Sequence, residues 1–457
     1  MANPSVRRRA AHDTTELTWS IGGAHPAGRL ASSRGAALLL LLGLVLLATV
    51  PTLFLAGWRS DPLLFTLGRR AALVAFGLLV LQVVLSARFH FADRALGLDK
   101  IMRIHRAVGI AVLLLLLAHP TMLLLATHGA IRWRWKVVLG ASALLLLLAG
   151  VLAALLFRHL RLDFNRWRIV HKAMILVVVL GYAHSRLIGH DLRSSPGLRV
   201  WWTVLLATAL GIFAWRNAYV PRFGRRRFRV ASIRLEARDA WTITLVPERG
   251  GPLRHLPGQF MFLSLVRAGL PREEHPFTIS SSPSQAGFVT ATIKESGNFT
   301  RTIGRTRAGD GALVEGPFGR FSLVHHRRAE RFVFISAGVG STPFASMLRF
   351  LRDTADPRPV LYLCANRSEA DIAFREEMDG LPATMKVVHV LSQPEAGWPG
   401  ARGHLDEAAL RNLAGAGLEG AAIFVCGPPP FMAKVCGALR SMGVRRTRIH
   451  TERFALP

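Results

Sequence analysis

Cysteine is scarce in this 457-residue chain: Cys364, Cys426 and Cys436 are its only three, and they show no metal-ligand or disulfide spacing. That argues against an iron–sulfur cluster and is compatible with a reducing cytosol. Acidic residues are also few, 28 against 58 Lys and Arg, which leaves a formal net charge of +30. A D-x-D-x-D-G loop is missing, which argues against calcium regulation on this chain. The turn at 337–343, between a strand and a helix, does not match the G-x-G-x-x-G fingerprint. Excess positive charge would suit nucleic acid, but the basic residues gather at segment ends, as at Arg158, Arg161, Arg166, Arg168 and Arg225-Arg226-Arg227. Such positions contact anionic lipid headgroups and fix topology. Membrane lipid, and no nucleic acid, is the expected partner.

What is present divides the chain in two. Apolar runs lie near 36–57, 71–87, 107–127, 137–157, 169–188 and 199–215, each close to the ~20 residues that cross a bilayer as helix. They predict six spans within residues 36–220. The first is too long and too deep in the chain for a cleaved signal peptide. It follows a basic segment, 1–35, whose Arg7-Arg8-Arg9, Arg29 and Arg34 suit a cytoplasmic N-terminus. Arg132, Arg134 and Lys136 oppose this bias, since they fall on the outer side. Trp133 and Trp135 fit an interfacial belt.

Four histidines stand out in these apolar runs. His105 and His119 are fourteen residues apart, and His171 and His184 thirteen. Polar side chains inside a membrane usually face the bundle interior and carry function. At about 1.5 Å per residue each pair spans roughly 20 Å. Two helices with matched pairs would therefore hold two haems, one above the other, with His105 facing His171 at the inner level and His119 facing His184 at the outer. Fourteen residues return to nearly the same helical face, whereas thirteen leave a rotation of roughly 140°. A local irregularity is therefore expected between residues 172 and 183. His90, His128, His159 and His190 lie near span ends and read as headgroup or water contacts. Arg103, Arg106 and Arg168 lie near the inner pair, where propionate pairing and topology setting are both open to them.

After residue 220 the pattern becomes short alternating segments. RFRVASI (227–233), TITLVPE (242–248), QFMFLSLV (259–266), FTISS (277–281), FVTATIKE (288–295) and ALVEG (312–316) predict strands joined by Gly/Pro turns. They suggest a small antiparallel β-barrel over 221–325. From 331 the rhythm is strand–helix–strand: RFVFIS, VLYLCA, KVVHVLS and AIFVCG alternate with helical stretches, and RIHTERF closes the series. This predicts an α/β domain with a parallel sheet over 326–457. Its AGVGSTP turn (337–343) sits between a strand and a helix, where glycines let backbone approach a pyrophosphate.

HPFTISSSP (275–283), IKESGNFT (293–300), GPFG (316–319), AGVGSTPF (337–344), CGPPPFM (426–432) and ERF (452–454) occur in that order. Together they resemble the ferredoxin–NADP reductase type of flavoprotein module. Joined to six spans with paired histidines, the chain from about residue 70 onward resembles the ferric reductase and NADPH oxidase superfamily. The resemblance implies FAD, two b-type haems and NADPH or NADH as cofactors. His275, Pro276, Phe277 and Thr278 would lie along the flavin, with Ser280 and Ser281 continuing towards its ribityl chain. Lys294, Gly297 and Thr300 would cradle the FAD diphosphate. Gly338, Gly340, Thr342 and Pro343 belong to the turn that would bind the nicotinamide dinucleotide, and Cys426 and Gly427 would border the nicotinamide. Phe454 would cover the flavin until nicotinamide displaces it, with Glu452 close by. In the oxidase branch that aromatic is commonly terminal, whereas Ala455-Leu456-Pro457 follows it here. Arg367 is a candidate for the 2′-phosphate of NADPH, or a solvated loop residue.

The expected activity is an NAD(P)H-dependent transmembrane oxidoreductase. Electrons would pass from cytosolic NAD(P)H through FAD, an inner and an outer haem to oxygen or a ferric chelate. A membrane donor to a quinone or periplasmic protein is an alternative, as is a non-enzymatic haem sensor. The intact flavin and nicotinamide segments weigh against the sensor. The expected location is a bacterial-type inner or plasma membrane, with the N-terminus and the FAD and NAD(P) domains cytoplasmic.

Overall fold

The computed structural model describes residues 33–56, 61–129, 134–156, 164–285 and 287–453. The N-terminal part is helical: α1 Ser33–Leu55, α2 Leu63–Ser86, α3 His90–Leu96, α4 Leu98–Ala126, α5 Trp135–Leu156, α6 Phe164–Lys172, α7 Ile175–Ile188, α8 His190–Ser194 and α9 Pro196–Ala214, continued by a π-helical segment, Trp215–Gly224. Five stretches among the described residues are long and apolar enough to cross a membrane: Leu63–Ser86, Leu98–Ala126, Trp135–Leu156, Trp167–Ile188 and Pro196–Gly224. The first expected span, 36–57, corresponds to a shorter apolar stretch, Leu41–Leu55. The chain is an integral membrane protein.

Local chemistry explains the boundaries. Ser195 caps α9 by accepting the Leu198 amide at 3.1 Å, and Pro196 opens the helix where no donor is needed. The bundle core is apolar, and Phe76 stacks on the buried Trp202 at 4.5 Å between α2 and α9. The indole of Trp202 donates to Ser185 Oγ at 2.8 Å, so burial leaves no orphaned donor. Between spans such rings hold the helices by close packing and hydrogen bonds rather than by escape from water.

The fifth expected span is interrupted between α6 and α7. Met174 N bonds back to His171 O (3.1 Å), Leu176 N to Ala173 O (2.9 Å) and Val177 N to Met174 O (3.0 Å). These are three-residue spacings, a tightened turn. The expected irregularity is present, at Ala173-Met174.

Six strands follow: β1 Arg226–Ala237, β2 Ala240–Pro247, β3 Phe260–Val266, β4 Glu274–Thr278, β5 Val289–Lys294 and β6 Gly311–Phe318. They form an antiparallel sheet in the order β4-β3-β6-β1-β2-β5. A single bridge, Ile279–Ala291, joins the chain just beyond β4 to β5. Phe228, Ile243, Leu245, Met261, Leu263 and Val314 form the core.

The third part contains β7 Arg331–Ala337, α10 Thr342–Asp353, β8 Val360–Asn366, α11 Arg375–Asp379, β9 Met385–Leu391, β10 Ala401–Arg402, α12 Glu407–Ala414, β11 Ala421–Cys426, α13 Pro429–Ser441 and β12 Ile449–Glu452. All pairings are parallel, in the order β10-β9-β8-β7-β11-β12. Strands β7 and β11 are buried nearly throughout, as a sheet covered on both faces requires. The helical stretch after VLYLCA is only the short α11, which starts directly after Phe374, a residue in the left-handed conformation (φ 61°). The two-residue β10 was too short to leave a strand pattern.

The α2–α4 corner touches the flavin-type sheet. Asp93, 2% exposed, accepts the amides of Leu98 and Gly319, both at 2.9 Å. His90 stacks on Phe318 at 4.6 Å, and Leu98 packs with Phe262 and Phe318.

Candidate functional site

The inner histidine pair comes together in the bundle. The rings of His105 on α4 and His171 on α6 have centroids 6.0 Å apart and are inclined at 65°. Each has a buried Nδ1 without a hydrogen-bond partner. Trp167, one turn before His171, stacks on it at 5.2 Å. Gln82 donates to the His105 carbonyl at 2.8 Å, linking α2 to α4.

The outer pair has fixed tautomers. His119 Nδ1 donates to Gly68 O at 2.9 Å, and His184 Nδ1 donates to Lys136 O at 2.9 Å. A carbonyl only accepts, so in each ring Nδ1 holds the proton and Nε2 keeps its lone pair. Histidines that ligate a metal commonly donate their other ring nitrogen in this way.

Sequence reading missed the residues that make room for these rings. A Cβ on Gly140 would stand 2.5 Å from His184 Cε1, and one on Gly150 would overlap Met174 Sδ. Small residues on α5 thus admit both the outer histidine and the break in the neighbouring helix. Glycines at 140 and 150 were the available signal, but without the pairing of α5 with α7 they look like ordinary apolar-span glycines.

The residues assigned to flavin gather along β4 and the loop after β5. His275, Pro276, Phe277 and Thr278 pair with Leu263, Phe262, Met261 and Phe260 of β3. The His275 ring stacks on Phe299 at 4.6 Å and bonds Glu273 at 2.8 Å, joining β4 to the GNFT loop. In that loop Thr300 Oγ1 accepts the amides of Ser296 (2.9 Å) and Gly297 (2.8 Å), and Lys294 pairs with Asp239 at 3.0 Å. The buried Arg267 holds the loop from behind, donating to Thr302 O (2.7 Å), Thr306 Oγ1 (3.1 Å) and Thr302 Oγ1 (2.9 Å). Ser280 and Ser281, expected along the ribityl chain, are buried and hydrogen-bonded to the strand they face. Ser280 Oγ bonds Thr290 and Thr292 hydroxyls at 2.8 and 3.1 Å, and Ser281 Oγ accepts Thr290 N at 3.1 Å. Their carbonyls do interdomain work: Ser280 O accepts from Arg349 (2.6 Å) and Ser281 O from Ser346 (2.7 Å), both on α10.

The nicotinamide-type residues converge at the carboxyl ends of β7 and β11. The chain moves from β7 outwards to β8, β9 and β10, then returns to β11 on the other side. That reversal is the crevice where open parallel sheets bind ligands. Gly338 has φ +54°, and a Cβ on Gly340 would lie 2.5 Å from Cys426 O. A side chain at 340 would therefore push the two loops apart. Thr342 Oγ1 donates to Val339 O at 3.0 Å, and Pro343 stands in the first turn of α10. Cys426, fully buried, is in register with Glu452 of β12. Burial pushes the Cys426 thiol well up, and the Glu452 charge adds to it. Burial, then Asp99 and Asp93, raise the Glu452 carboxyl to about 8. Arg367 lies exposed just beyond β8. Phe454, His159, Trp133 and the basic segment through residue 32 lie outside the described residues.

Models of known families match the chain in three consecutive parts. A ferric reductase-like transmembrane component covers residues 71–182, an FAD-binding domain 226–310 and an oxidoreductase NAD-binding domain 334–437. The chain has the ferric reductase/NADPH oxidase-like fusion architecture. This ferric reductase-like chain is 33% identical over 227 residues to a stachydrine N-demethylase reductase subunit of Rhizobium meliloti, covering 48% of the chain and 64% of that protein. It is 30% identical over 239 residues to a glycine betaine monooxygenase reductase subunit of Pseudomonas aeruginosa, covering 50% and 64%. The matches thus span less than two thirds of either relative. Among solved structures, the FAD/NAD-binding domain of a nitric oxide dioxygenase from Vibrio cholerae aligns with a TM-score of 0.45 at 27% identity, covering 50% of this chain and 98% of that one.

Proposed function

We propose that this chain carries electrons from NAD(P)H through FAD and two b-type haems to an acceptor across the membrane, oxygen or a ferric chelate. The observation that carries this reading is the inner histidine pair, His105 and His171, with ring centroids 6.0 Å apart on helices α4 and α6. Among the described residues no group of three or more His, Cys, Asp or Glu could hold a metal ion. A pair of imidazoles therefore suits a group that brings its own equatorial ligands, as haem does. His105 with His171, and His119 with His184, would supply the axial nitrogens. When bound, the nicotinamide donor, FAD and haem supply hydride and single-electron chemistry, and the protein supplies position.

In this reading the protein's parts divide the work as follows. His275, Pro276, Phe277 and Thr278 line the flavin. Lys294, Gly297 and Thr300 hold its diphosphate, while Gly338, Gly340, Thr342 and Pro343 present amides and a helix terminus to the dinucleotide. Cys426 and Gly427 border the nicotinamide. Glu452, with its carboxyl at about 8, keeps its proton near neutrality and spares the crevice a further negative charge. Arg367 selects the 2′-phosphate of NADPH. His105, His171, His119 and His184 would hold the two haems, which would then supply single-electron transfer rather than oxygen activation at iron.

The same reading takes α1 as a sixth span and the flavin-type sheet as a barrel closed at Ile279–Ala291. An even number of spans puts the N-terminus and both reductase domains on one side, where NAD(P)H is found. Purified protein should show the split visible bands of low-spin bis-histidine haem. Anaerobic NAD(P)H should reduce that haem once FAD is supplied, and failure to do so refutes the proposal. Superoxide production compared with ferric-chelate reduction, with and without superoxide dismutase, then distinguishes the two acceptors.

A further inference from the structure

The sheet that carries β4 is tied to the membrane bundle by charges taken out of water. Chain direction reverses after α2 at Arg88, a non-glycine residue with φ +56°. That conformation is uncommon and costs energy unless its surroundings over-determine it. Here it delivers the guanidinium over the Phe262 ring of β3, 3.6 Å from its centroid, and places Nη1 2.8 Å from Glu274 Oε1. Glu274 is the first residue of β4, directly before His275. Its other oxygen pairs with Arg225, where the last membrane helix leads into β1. Arg216, in the π-helical segment, pairs at 2.6 Å with Glu315 of β6, which Arg225 also approaches at 3.9 Å. The side chains of Glu274 and Glu315 are 8% and 4% exposed. Buried ion pairs seldom add much net stability, but breaking one leaves an uncompensated charge, so they fix geometry strongly.

We propose that Arg88 is a positioning residue for electron transfer, holding β4 at a fixed place against the membrane bundle through Glu274. This rests on the electron-transfer reading above and deepens it. Neither Arg88 nor Glu274 belongs to the ordered motifs, and they lie 186 residues apart. Their contact makes the flavin-type strand an extension of the α2–α4 corner instead of a domain hung on a linker. The effect falls mainly on the flavin-to-haem step, because Arg88 ties β4 to the membrane bundle and has no contact with β7, β11 or α10, where the nicotinamide crevice lies.

The test uses the full-length chain in detergent, loaded with haem and FAD and mixed anaerobically with NADPH. Arg88→Met should keep the haem spectrum and reduce a soluble dye within about twofold of the wild-type rate. Its NADPH-driven haem reduction should slow about tenfold, the scale on which small misplacements cost rate. Arg88→Lys retains the charge and should lie between the two. In Arg88→Met, amide hydrogen exchange should rise together in residues 87–98 and in β4. Haem reduction at the wild-type rate in Arg88→Met overturns the proposal, as does an equal loss of dye and haem reduction. If wild-type haem is not reduced at all, the electron-transfer reading falls. Exchange then decides the positioning role, and unchanged protection of β4 overturns it.

Discussion

Replacing Glu274 with glutamine tests the membrane–reductase junction as a matter of energy. Burial alone would raise this carboxyl, but Arg88 and Arg225 pull it from 4.5 to about 2. The depressed value means that the carboxylate's contribution is fully present above the unfolded value near 4.5 and is lost as pH falls through about 2. A shift of 4.5 − 2 = 2.5 units, at about 1.4 kcal/mol per unit, corresponds to about 3 kcal/mol at neutral pH. An independent route gives a similar size, because removing one partner of a buried pair costs about 3–5 kcal/mol. For a module of roughly 150–250 residues, 1 kcal/mol moves the midpoint about 2–4 °C, so Glu274→Gln should lower it by about 6–12 °C. Thermal unfolding in detergent at pH 7, followed by tryptophan fluorescence with FAD present, measures this. At pH 3 the wild type has entered the window of loss, so the difference between the two proteins should shrink. A Glu274→Gln midpoint within about 2 °C of wild type at pH 7 would refute the reasoning, since it would mean the pair is hydrated enough to be worth little.

Other residues give further checks. Gly140→Ala puts a Cβ 2.5 Å from His184 Cε1, so the outer haem should be lost or become spectrally heterogeneous while NADPH-to-dye reduction persists; an unchanged haem-to-protein ratio with unaltered bands counts against the assignment. Arg267→Met removes three hydrogen bonds behind the GNFT loop, and FAD affinity measured by fluorescence quenching should weaken about tenfold or more, since hydrogen bonds from charged groups contribute about 1.5–3 kcal/mol each. Arg349→Met cuts the bond from α10 to Ser280 O and the pair with Glu377; it should slow NADPH-to-flavin reduction in stopped flow without changing the haem content. The raised Glu452 carboxyl makes folding less favourable as pH rises from 4.5 towards about 8, because the unfolded chain ionises first. Glu452→Gln should therefore be more stable than wild type at pH 8.5, with the gap closing at pH 4; equal midpoints at both pH values would show that Glu452 ionises normally.

Local pattern and distant pairing differ in what a sequence exposes. Apolar length marked the spans, period-two alternation marked β1 to β6, and the strand–turn–helix rhythm marked β7, β8, β9, β11 and β12, because each signal lies within a short stretch of chain. The junctions escaped, as did the two-residue β10 and the roles of Gly140 and Gly150. Arg88 looks like a topology arginine, and Glu274 like a loop acid, until a fold brings them to 2.8 Å. Ser280 and Ser281 carry a second layer that a motif does not display: their hydroxyls bond to Thr290 and Thr292 or to the Thr290 amide, and their carbonyls reach the next domain.

The second histidine pair shows how far helical arithmetic alone can go. Thirteen residues on an ideal helix leave His171 and His184 about 140° out of phase, which requires an irregularity but does not locate it. The structure breaks the helix at Ala173-Met174, directly after His171. Tightened turns advance about 120° per residue against about 100° for an α-helix, so two such residues recover only about 40°. The remaining rotation must come from a change of axis between α6 and α7 and from the ring rotamers. Gly150, opposite Met174, supplies the space for that change. A larger residue there would press on the break itself, so Gly150→Leu should disturb both haem environments at once, whereas Gly140→Ala should disturb the outer one alone. Resonance Raman spectra of the two variants separate these outcomes, and an inner haem untouched by Gly150→Leu would sever the proposed link between the break and the spacing of the histidines.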